Sequence, residues 1–214
     1  MNKEKPLKTL VTKNDTHKAA EIINQGGLVA VPTETVYGLS ASGLLSRAVS
    51  EIYEVKGRPE TKPISLLVYD MKSVEDFCRD IPSDAYKLAA CFWPGPLTMI
   101  LYKTDLVPEI VTAGGVTVGV RCPDHPLTRE IIRLSGVPLA TPSANLSGCP
   151  SPKSADEVLS TFDGKIPMVV DGGKCTVGVE STIVDMTQKP YKVLRLGGLS
   201  VEEIQEKAGV EVVL

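Results

Sequence analysis

The side chains best suited to chemistry in this 214-residue chain follow directly after short apolar runs. Residues 28–31 are all apolar, and the turn after them carries Thr33, Glu34, Thr35 and Tyr37. Polar groups beside a buried strand cost free energy unless they find hydrogen-bond partners. The turn is therefore either a ligand site or a turn whose polar groups satisfy one another, and its sequence favours neither.

A group of cations forms the second candidate. Lys56, Arg58 and Lys62 lie within seven residues of one another at the end of a predicted helix, with a glycine and a proline shaping the backbone. One cation there is explained by the helix dipole, which favours positive charge at the C-terminus. Three of them also suit a clamp for a polyphosphate, because ammonium and guanidinium groups donate charge-assisted hydrogen bonds to phosphate oxygens.

Small hydroxyl and amide side chains make up the third candidate, in residues 141–148. Ser143 and Asn145, like the backbone amides of a tight turn, can donate hydrogen bonds to phosphate or ribose oxygens. An ordinary turn closed by its own serine and asparagine side chains is the competing interpretation.

Three further polar groups lie at the edges of predicted strands, namely Arg121, the run Glu180-Ser181-Thr182 and Arg195. Ligands of open α/β sheets bind beyond the carboxyl ends of the strands. We therefore expect all these loops to line one shared cleft for an anionic ligand.

The elements that must position these loops alternate along the chain. Apolar spacing predicts helices over residues 15–25, 46–56, 83–92, 127–134, 154–161 and 200–208. Apolar runs predict strands over residues 28–31, 64–68, 97–102, 116–121, 137–141, 167–171, 181–185 and 191–195. Capping boxes that begin at Ser154 and Ser200 predict the starts of the last two helices. The alternation indicates an α/β fold with helices on the faces of a sheet.

Composition places the chain among globular proteins. At 43% hydrophobic residues it is too apolar to be disordered, and its length suits one domain, taken as residues 1–214 with a core over about residues 15–200. No apolar run approaches the ~18 residues of a transmembrane helix, and the charged N-terminus lacks a signal-peptide pattern. Five widely spaced cysteines without a C-x-x-C pair are typical of a reducing compartment. We therefore expect a cytoplasmic protein without membrane association.

Several catalytic classes lack their signatures in this sequence. It contains no P-loop, no dinucleotide-binding glycine motif, no nucleophile elbow and no zinc-protease helix motif. With two histidines, and with cysteines that lack metal-ligand spacing, we expect no metal caged by the protein. The net charge of −3 argues against broad nonspecific binding of nucleic acid but is compatible with a local basic cleft.

Six segments, in this order, resemble the TsaC/YrdC family of threonylcarbamoyl-AMP synthases, in its short, single-domain type. They are residues 31–39 (VPTETVYGL), 56–59 (KGRP), 93–98 (WPGPLT), 119–121 (GVR), 141–148 (TPSANLSG) and 180–185 (ESTIVD). Each motif is weak by itself, but six in register are specific, and the likeness runs from about residue 15 to about residue 200.

The resemblance implies a YrdC-like fold, a twisted, open mixed α/β sheet around a large basic cavity. It implies a reaction in which L-threonine, bicarbonate and ATP, with Mg²⁺, give threonylcarbamoyl-AMP and pyrophosphate. That reaction is the first step towards N6-threonylcarbamoyladenosine at position 37 of tRNA, and a separate partner complex would transfer the group to tRNA.

The resemblance also implies roles for individual residues. The catalytic phosphate clamps would be Lys56 and Arg58. Binding of ATP and the adenylate falls on Lys56, Arg58, Ser143, Asn145, Ser181 and Arg195, and binding of threonine falls on Thr33, Thr35, Tyr37, Arg121 and Ser181. No conventional base is needed, because the carbamate nucleophile is already anionic and the protein must mainly align the reactants and neutralise charge.

Two other functions remain open. An RNA-binding module, for tRNA or double-stranded RNA, would bind in a salt-dependent manner that ATP and threonine leave unchanged. A paralogue that handles a different carbamoyl substrate would turn over ATP without requiring threonine.

Overall fold

Short strands form the centre of the fold in the computed structural model, which describes residues 8–214. Over those residues the strands are β1 (Leu10–Thr12), β2 (Val29–Val31), β3 (Gly38–Ser42), β4 (Leu66–Leu67), β5 (Cys78–Arg79), β6 (Leu97–Lys103), β7 (Thr117–Arg121), β8 (Leu139–Ala140), β9 (Met168–Val170), β10 (Thr182–Asp185), β11 (Tyr191–Arg195) and β12 (Val212–Val213). Their order across the sheet is β1-β9-β2-β3-β8-β4-β7-β6-β10-β11-β12, and β5 pairs with β6 off this path. The sheet is mixed, since β2 pairs parallel with β9 but antiparallel with β3.

Helices connect the strands. Over the same residues they are α1 (Thr16–Asn24), α2 (Ser46–Lys56), α3 (Met71–Phe77), α4 (Ser83–Phe92), α5 (Glu109–Thr112), α6 (Pro126–Ser135), α7 (Ala155–Phe162) and α8 (Val201–Ala208). Helix α1 packs on α6, and α4 packs on α8. None of these helices combines the length and the hydrophobicity that crossing a bilayer requires.

The strand β2 shows how the helices cover both faces of the sheet. Val29 and Val31 belong to the hydrophobic cluster beneath α1 and α6, whereas Ala30 belongs to the larger cluster that includes residues of α2, α4 and α7. Alternate residues of a strand point to opposite faces, so β2 is buried on both sides. This confirms the α/β fold and explains why residues 28–31 are apolar without alternation. The single-domain organisation and the large basic cavity stay predictions.

Most predicted elements are found within one or two residues, and α2, α4 and β11 match residue for residue. The predicted strand over residues 64–68 is reduced to the two residues of β4. Strand β3 was not predicted, because its sequence, Gly-Leu-Ser-Ala-Ser, has no β-branched or aromatic residue and alternates apolar with polar residues over only four positions. Small residues are needed there, since a Cβ atom at Gly38 would lie 2.3 Å from Cγ2 of Thr141. The shorter elements β1, β5, β12, α3 and α5 were also not predicted.

The two predicted capping boxes have different outcomes. At Ser200 the box is complete, with the serine side chain and the Glu203 carboxylate both bonded to backbone N–H groups. At Ser154 one of the two contacts of a capping box is formed, and the prediction of the other was wrong. The serine hydroxyl accepts from the N–H of Glu157, but the Glu157 carboxylate accepts from Lys153, one residue before the cap. The backbone ahead of α7 therefore takes the contact that would have closed the box.

The hydroxyl of Thr182 fastens the start of β10 to the segment that leads into α8. Its Oγ1 donates to the carbonyl of Leu199 at 2.6 Å and accepts from the N–H groups of Gly197 and Leu199 at 2.9 and 3.0 Å. Thr182 is fully buried, so no water can replace these bonds.

We expect Thr182→Val, which keeps the shape and removes the hydroxyl, to lower the free energy of unfolding by at least about 2 kcal/mol, because three buried backbone groups lose their partner. The midpoint of urea unfolding measures the change. The control is Thr117→Val in β7, where we expect a change within about 0.5 kcal/mol. Equal midpoints for the two variants would show that the Thr182 hydroxyl is not needed.

Candidate functional site

A cleft of about 250 Å³ lies where the ends of the central strands and their loops converge. Its lining is rich in hydroxyl and guanidinium groups. The polar residues that line it are Thr33, Thr35, Tyr37, Arg58, Ser65, Thr98, Arg121, Thr141, Ser143, Glu180, Ser181 and Arg195. Three arginines thus face a single glutamate among the described lining residues, which suits an anionic ligand.

The turn between β2 and β3 forms one wall of the cleft. The hydroxyl of Thr33 lies 2.6 Å from the carbonyl of Val36 and 2.9 Å from the hydroxyl of Thr35, so the turn satisfies much of its own polarity. The Tyr37 hydroxyl donates to the carbonyl of Gly173 at 2.8 Å and accepts from the N–H of Gly172 at 3.0 Å. Burial raises the pKa of Tyr37 to about 12. Tyr37 therefore anchors the neighbouring loop as a neutral phenol.

Lys56 lies behind the cleft rather than in its lining. The side chain is 2% exposed, and its ammonium group donates to the backbone carbonyls of Ser143 and Asn145. The carbonyl of Lys56 in turn accepts from the N–H of Ser147 at 2.9 Å. With a longer contact from the ammonium group to Oδ1 of Asn145 at 3.5 Å, four hydrogen bonds join the C-terminal end of α2 to the loop after β8.

Within that loop, Ser143 and Asn145 have different positions. Ser143 lines the cleft, and its hydroxyl donates to the Asn145 side-chain oxygen at 2.5 Å. The Asn145 amide nitrogen donates to the carbonyls of Leu146 and Cys149 at 3.0 and 2.6 Å. Asn145 therefore closes the loop internally, as the competing turn interpretation expected, while Ser143 faces the space that a ligand would occupy.

Arg58 holds a fixed position at the edge of the cleft. Its Nε and Nη2 atoms donate to the carbonyls of Lys62 and Pro63 at 3.2 and 2.9 Å. Burial lowers the pKa of the guanidinium. The side chain is thus held by backbone acceptors, and a ligand phosphate could neutralise its charge.

The opposite wall is formed by Arg195 and Ser181. Both Nε and Nη2 of Arg195 donate to the carbonyl of Ser181, at 3.0 and 2.9 Å, and the Ser181 hydroxyl lies 2.7 Å from that of Thr98. Burial lowers the pKa of Arg195, and the nearby Glu180 opposes this effect. The backbone at Gly197 packs closely against the backbone of Glu180. A side chain would not fit at position 197, since a Cβ there would lie 2.1 Å from the carbonyl oxygen of Glu180.

Arg121 occupies the third corner. Its Nη2 atom lies 2.7 Å from Oε1 of Glu34, and both side chains are less than 10% exposed. Its Nε atom donates to the carbonyl of Gly95 at 3.2 Å. The cleft therefore contains one arginine in a direct ion pair and two whose hydrogen bonds go to carbonyl groups and, for Arg195, also to the Ser181 hydroxyl.

Comparison with known proteins identifies the family of this chain. A model of the Sua5/YciO/YrdC family, described as telomere recombination, matches residues 21–197. The chain belongs to the Sua5/YciO/YrdC family.

Close relatives within the family are named threonylcarbamoyl-AMP synthases. The Pyrococcus abyssi protein is 48% identical over 89% of this chain and 56% of its own length, and the Bacillus subtilis protein is 46% identical over 90% and 56%. The crystal structure of P. abyssi Sua5 complexed with L-threonine matches with a TM-score of 0.93 at 44% identity, over 96% of this chain and 63% of that one. The chain thus spans little more than half the length of these two curated relatives.

The structure of this family member brings most of the predicted site residues to one cleft. Those in its lining are Thr33, Thr35, Tyr37, Arg58, Arg121, Ser143, Ser181 and Arg195. Lys56 and Asn145 are not among the lining residues; Lys56 is buried, and Asn145 is partly exposed. Thr98, Thr141 and Glu180 were not among the individually predicted site residues, although each stands inside one of the quoted motifs. Ser65 carried no such signal.

Metal ligands are not clustered in this part of the chain. Across residues 8–214 the structure brings no three His, Cys, Asp or Glu side chains together in a geometry suited to a metal ion. The carboxylates nearest the cleft already have partners, because Glu34 contacts Arg121 and Glu180 accepts from the Ser151 hydroxyl at 2.6 Å.

The buried position of Lys56 predicts a pH dependence of stability. Burial, with a contribution from Arg58, lowers the pKa of Lys56 to about 8 from 10.5. Between these values the unfolded chain binds the proton more tightly than the folded chain, so stability from this group rises with pH. We expect the unfolding free energy of the wild type, relative to Lys56→Met, to increase by about 2 kcal/mol between about pH 7.5 and about pH 9.5.

Urea titrations at the two pH values measure this difference. Lys192→Met, at an exposed position of β11, is the control and shows no such change with pH. A difference between the wild type and Lys56→Met that stays constant with pH contradicts the lowered pKa.

Proposed function

We propose that this chain is an L-threonylcarbamoyladenylate synthase that uses L-threonine, bicarbonate and ATP and releases pyrophosphate. The observation that carries the proposal is the cleft in which Arg58, Arg121 and Arg195 meet hydroxyl-bearing loops. It is supported by membership of a family whose P. abyssi member has been crystallised with L-threonine. All the activity, substrates and partners given below are part of this proposal.

The chemistry fits a cleft whose lining, over the described residues, includes no free general base. The threonine amine combines with bicarbonate and loses water to give a carbamate, and a carbamate oxygen then attacks the α-phosphorus of ATP. The bond between the α-phosphorus and the bridging oxygen breaks, and pyrophosphate leaves. The nucleophile is already an anion, so the protein contributes alignment and neutralisation of charge.

Each group of residues has a part in the proposal. Arg58, Ser143, Ser181 and Arg195 bind the nucleotide, its phosphates and the adenylate. Lys56 and Asn145 act on the nucleotide through the loop that they hold, which refines the earlier expectation that Lys56 clamps phosphate directly. The threonine side consists of Thr33, Thr35, Tyr37 and Arg121, together with Ser181.

Magnesium enters this scheme as part of the substrate. Glu34 and Glu180, the carboxylates near the cleft, are engaged by Arg121 and Ser151. The described residues therefore do not fit a protein-held magnesium cage, and MgATP, with the ion on its phosphates, is the nucleotide substrate. The product is a reactive mixed anhydride, which a separate complex would transfer to tRNA in the cytoplasm.

The direct test is release of pyrophosphate from MgATP, measured with and without L-threonine and bicarbonate, with the nucleotide product identified by mass. We expect release to require both co-substrates and the product to be threonylcarbamoyl-AMP. Release without threonine would favour a different carbamoyl substrate. No release from folded protein, combined with salt-dependent tRNA binding, would favour an RNA-binding module.

Arg58→Ala tests the nucleotide side. Loss of a charge-assisted contact to phosphate costs about 1.5–3 kcal/mol, so we expect kcat/KM for ATP to fall at least about tenfold. The control is Arg133→Ala, on α6, where Arg133 is paired with Glu130 at 2.6 Å outside the cleft. Unchanged turnover in the Arg58 variant would remove this residue from the site.

A further inference from the structure

The Glu34 side chain is buried beside the cleft but does not line it. It is 7% exposed, and Oε1 lies 2.7 Å from Nη2 of Arg121. The contact is an ion pair rather than a hydrogen bond, since both atoms are enclosed and neither has a hydrogen-bond partner. The second oxygen, Oε2, accepts from the N–H of Asp124 at 3.0 Å. A buried charge is tolerated only with a partner, so the two groups depend on each other.

The contacts of Arg121 leave one edge of its guanidinium for the cleft. Nε donates to the carbonyl of Gly95 at 3.2 Å, and Nη2 faces Glu34. Nη1 makes no hydrogen bond to residues 8–214 and is not enclosed as Nη2 is. Because the guanidinium is planar and rigid, two fixed nitrogens also fix the direction of the third.

We propose that Glu34 is a positioning residue, which holds the Arg121 guanidinium so that Nη1 faces the carboxylate of the amino-acid substrate. Glu34 makes no contact with that substrate and acts through Arg121. The identity of the carboxylate as that of L-threonine rests on the proposed function. The orientation of Arg121 by Glu34 does not.

The backbone of Glu34 gives this position a second use. Its carbonyl accepts from the N–H of Val177 at 2.8 Å, which fastens the loop before β10 to the turn after β2. A substitution of the side chain leaves this bond available. An effect on Arg121 can thus be separated from a general loosening of the loop.

The functional test is a double-mutant cycle over Glu34→Ala, Arg121→Ala and the double variant, read out as affinity for L-threonine by calorimetry. We expect Glu34→Ala to weaken threonine binding about tenfold or more, with the KM for ATP nearly unchanged. In the Arg121→Ala background the same substitution should have no further effect. Threoninamide, which lacks the carboxylate, should bind all four proteins alike. Equal losses in both backgrounds, or matching losses for threoninamide, would overturn the proposal.

Glu34→Gln covers the case in which Glu34→Ala leaves Arg121 unpaired and unfolds the chain. The amide keeps an oxygen for Asp124 and a neutral acceptor for Arg121, so we expect threonine binding between those of the wild type and Glu34→Ala. If the Glu34→Gln variant binds threonine as weakly as Glu34→Ala, the charge of Glu34, rather than its oxygen as an acceptor, holds Arg121. If the Glu34→Gln variant binds threonine as tightly as the wild type, the ion pair is dispensable and the proposal is overturned.

A ligand-free readout separates this inference from the proposed function. A guanidinium held on one side rotates slowly about Nε–Cζ, so ¹⁵N NMR of the wild type should resolve the Arg121 Nη signals, assigned by their absence in Arg121→Ala. We expect Glu34→Ala to average them, and Glu34→Gln, used if alanine does not fold, to make them exchange faster than in the wild type. Signals that exchange no faster than in the wild type overturn the positioning role. A wild type that binds no threonine overturns the proposed function instead, and the NMR result still decides the role of Glu34.

Discussion

A buried ammonium group determines how the cleft is built. Lys56 carries its charge at a site with 2% exposure, and the carbonyls of Ser143 and Asn145 are its acceptors. Removing those acceptors would leave an uncompensated buried charge, which costs several kcal/mol. The loop after β8 is therefore fixed against the end of α2. Arg58 follows Lys56 by two residues, so the same contact sets where its guanidinium lies relative to Ser143.

Around this contact, the turn after β2 acts as the second fixed point. The N–H of Tyr37 donates to the carbonyl of Pro152, and its carbonyl accepts from Ala144. Its hydroxyl holds Gly172 and Gly173. Tyr37 thus connects its own turn with the segment between β8 and α7 and with the loop after β9, three loops that lie far apart in the sequence. Strand-end loops, which are ordinarily mobile, form a cleft here because they bond to one another and not only to the sheet.

Sequence reasoning recovered the helices and the central strands because their signals are local. The apolar stripe of α2 and the glycine that ends it, Gly57 at φ +57°, both fall within twelve consecutive residues. Strand β3 left only a weak signal, since Leu39 and Ala41 alternate with serines over four residues, whereas all five residues of the strand are buried. The location of Lys56 behind the cleft could not be predicted either, because a lysine near a helix end is ordinarily exposed. The ammonium group can be buried because it donates to the carbonyls of residues 143 and 145, which are distant from it in the sequence.

The three arginines of the cleft differ in how far their charge is neutralised, and this difference orders the site. Arg121 is in direct contact with Glu34, and Arg195 has Glu180 nearby. Among the described residues, Arg58 donates to two carbonyl groups and lies beside the Tyr53 hydroxyl, without a carboxylate partner. Positive charge is therefore least compensated at Arg58, the side proposed for the polyphosphate, and most compensated at Arg121, the side proposed for a single carboxylate. A ligand carrying several negative charges gains most where the protein has left charge unpaired. The unequal pairing of the arginines thus makes the two sides of the cleft electrostatically different before any substrate binds.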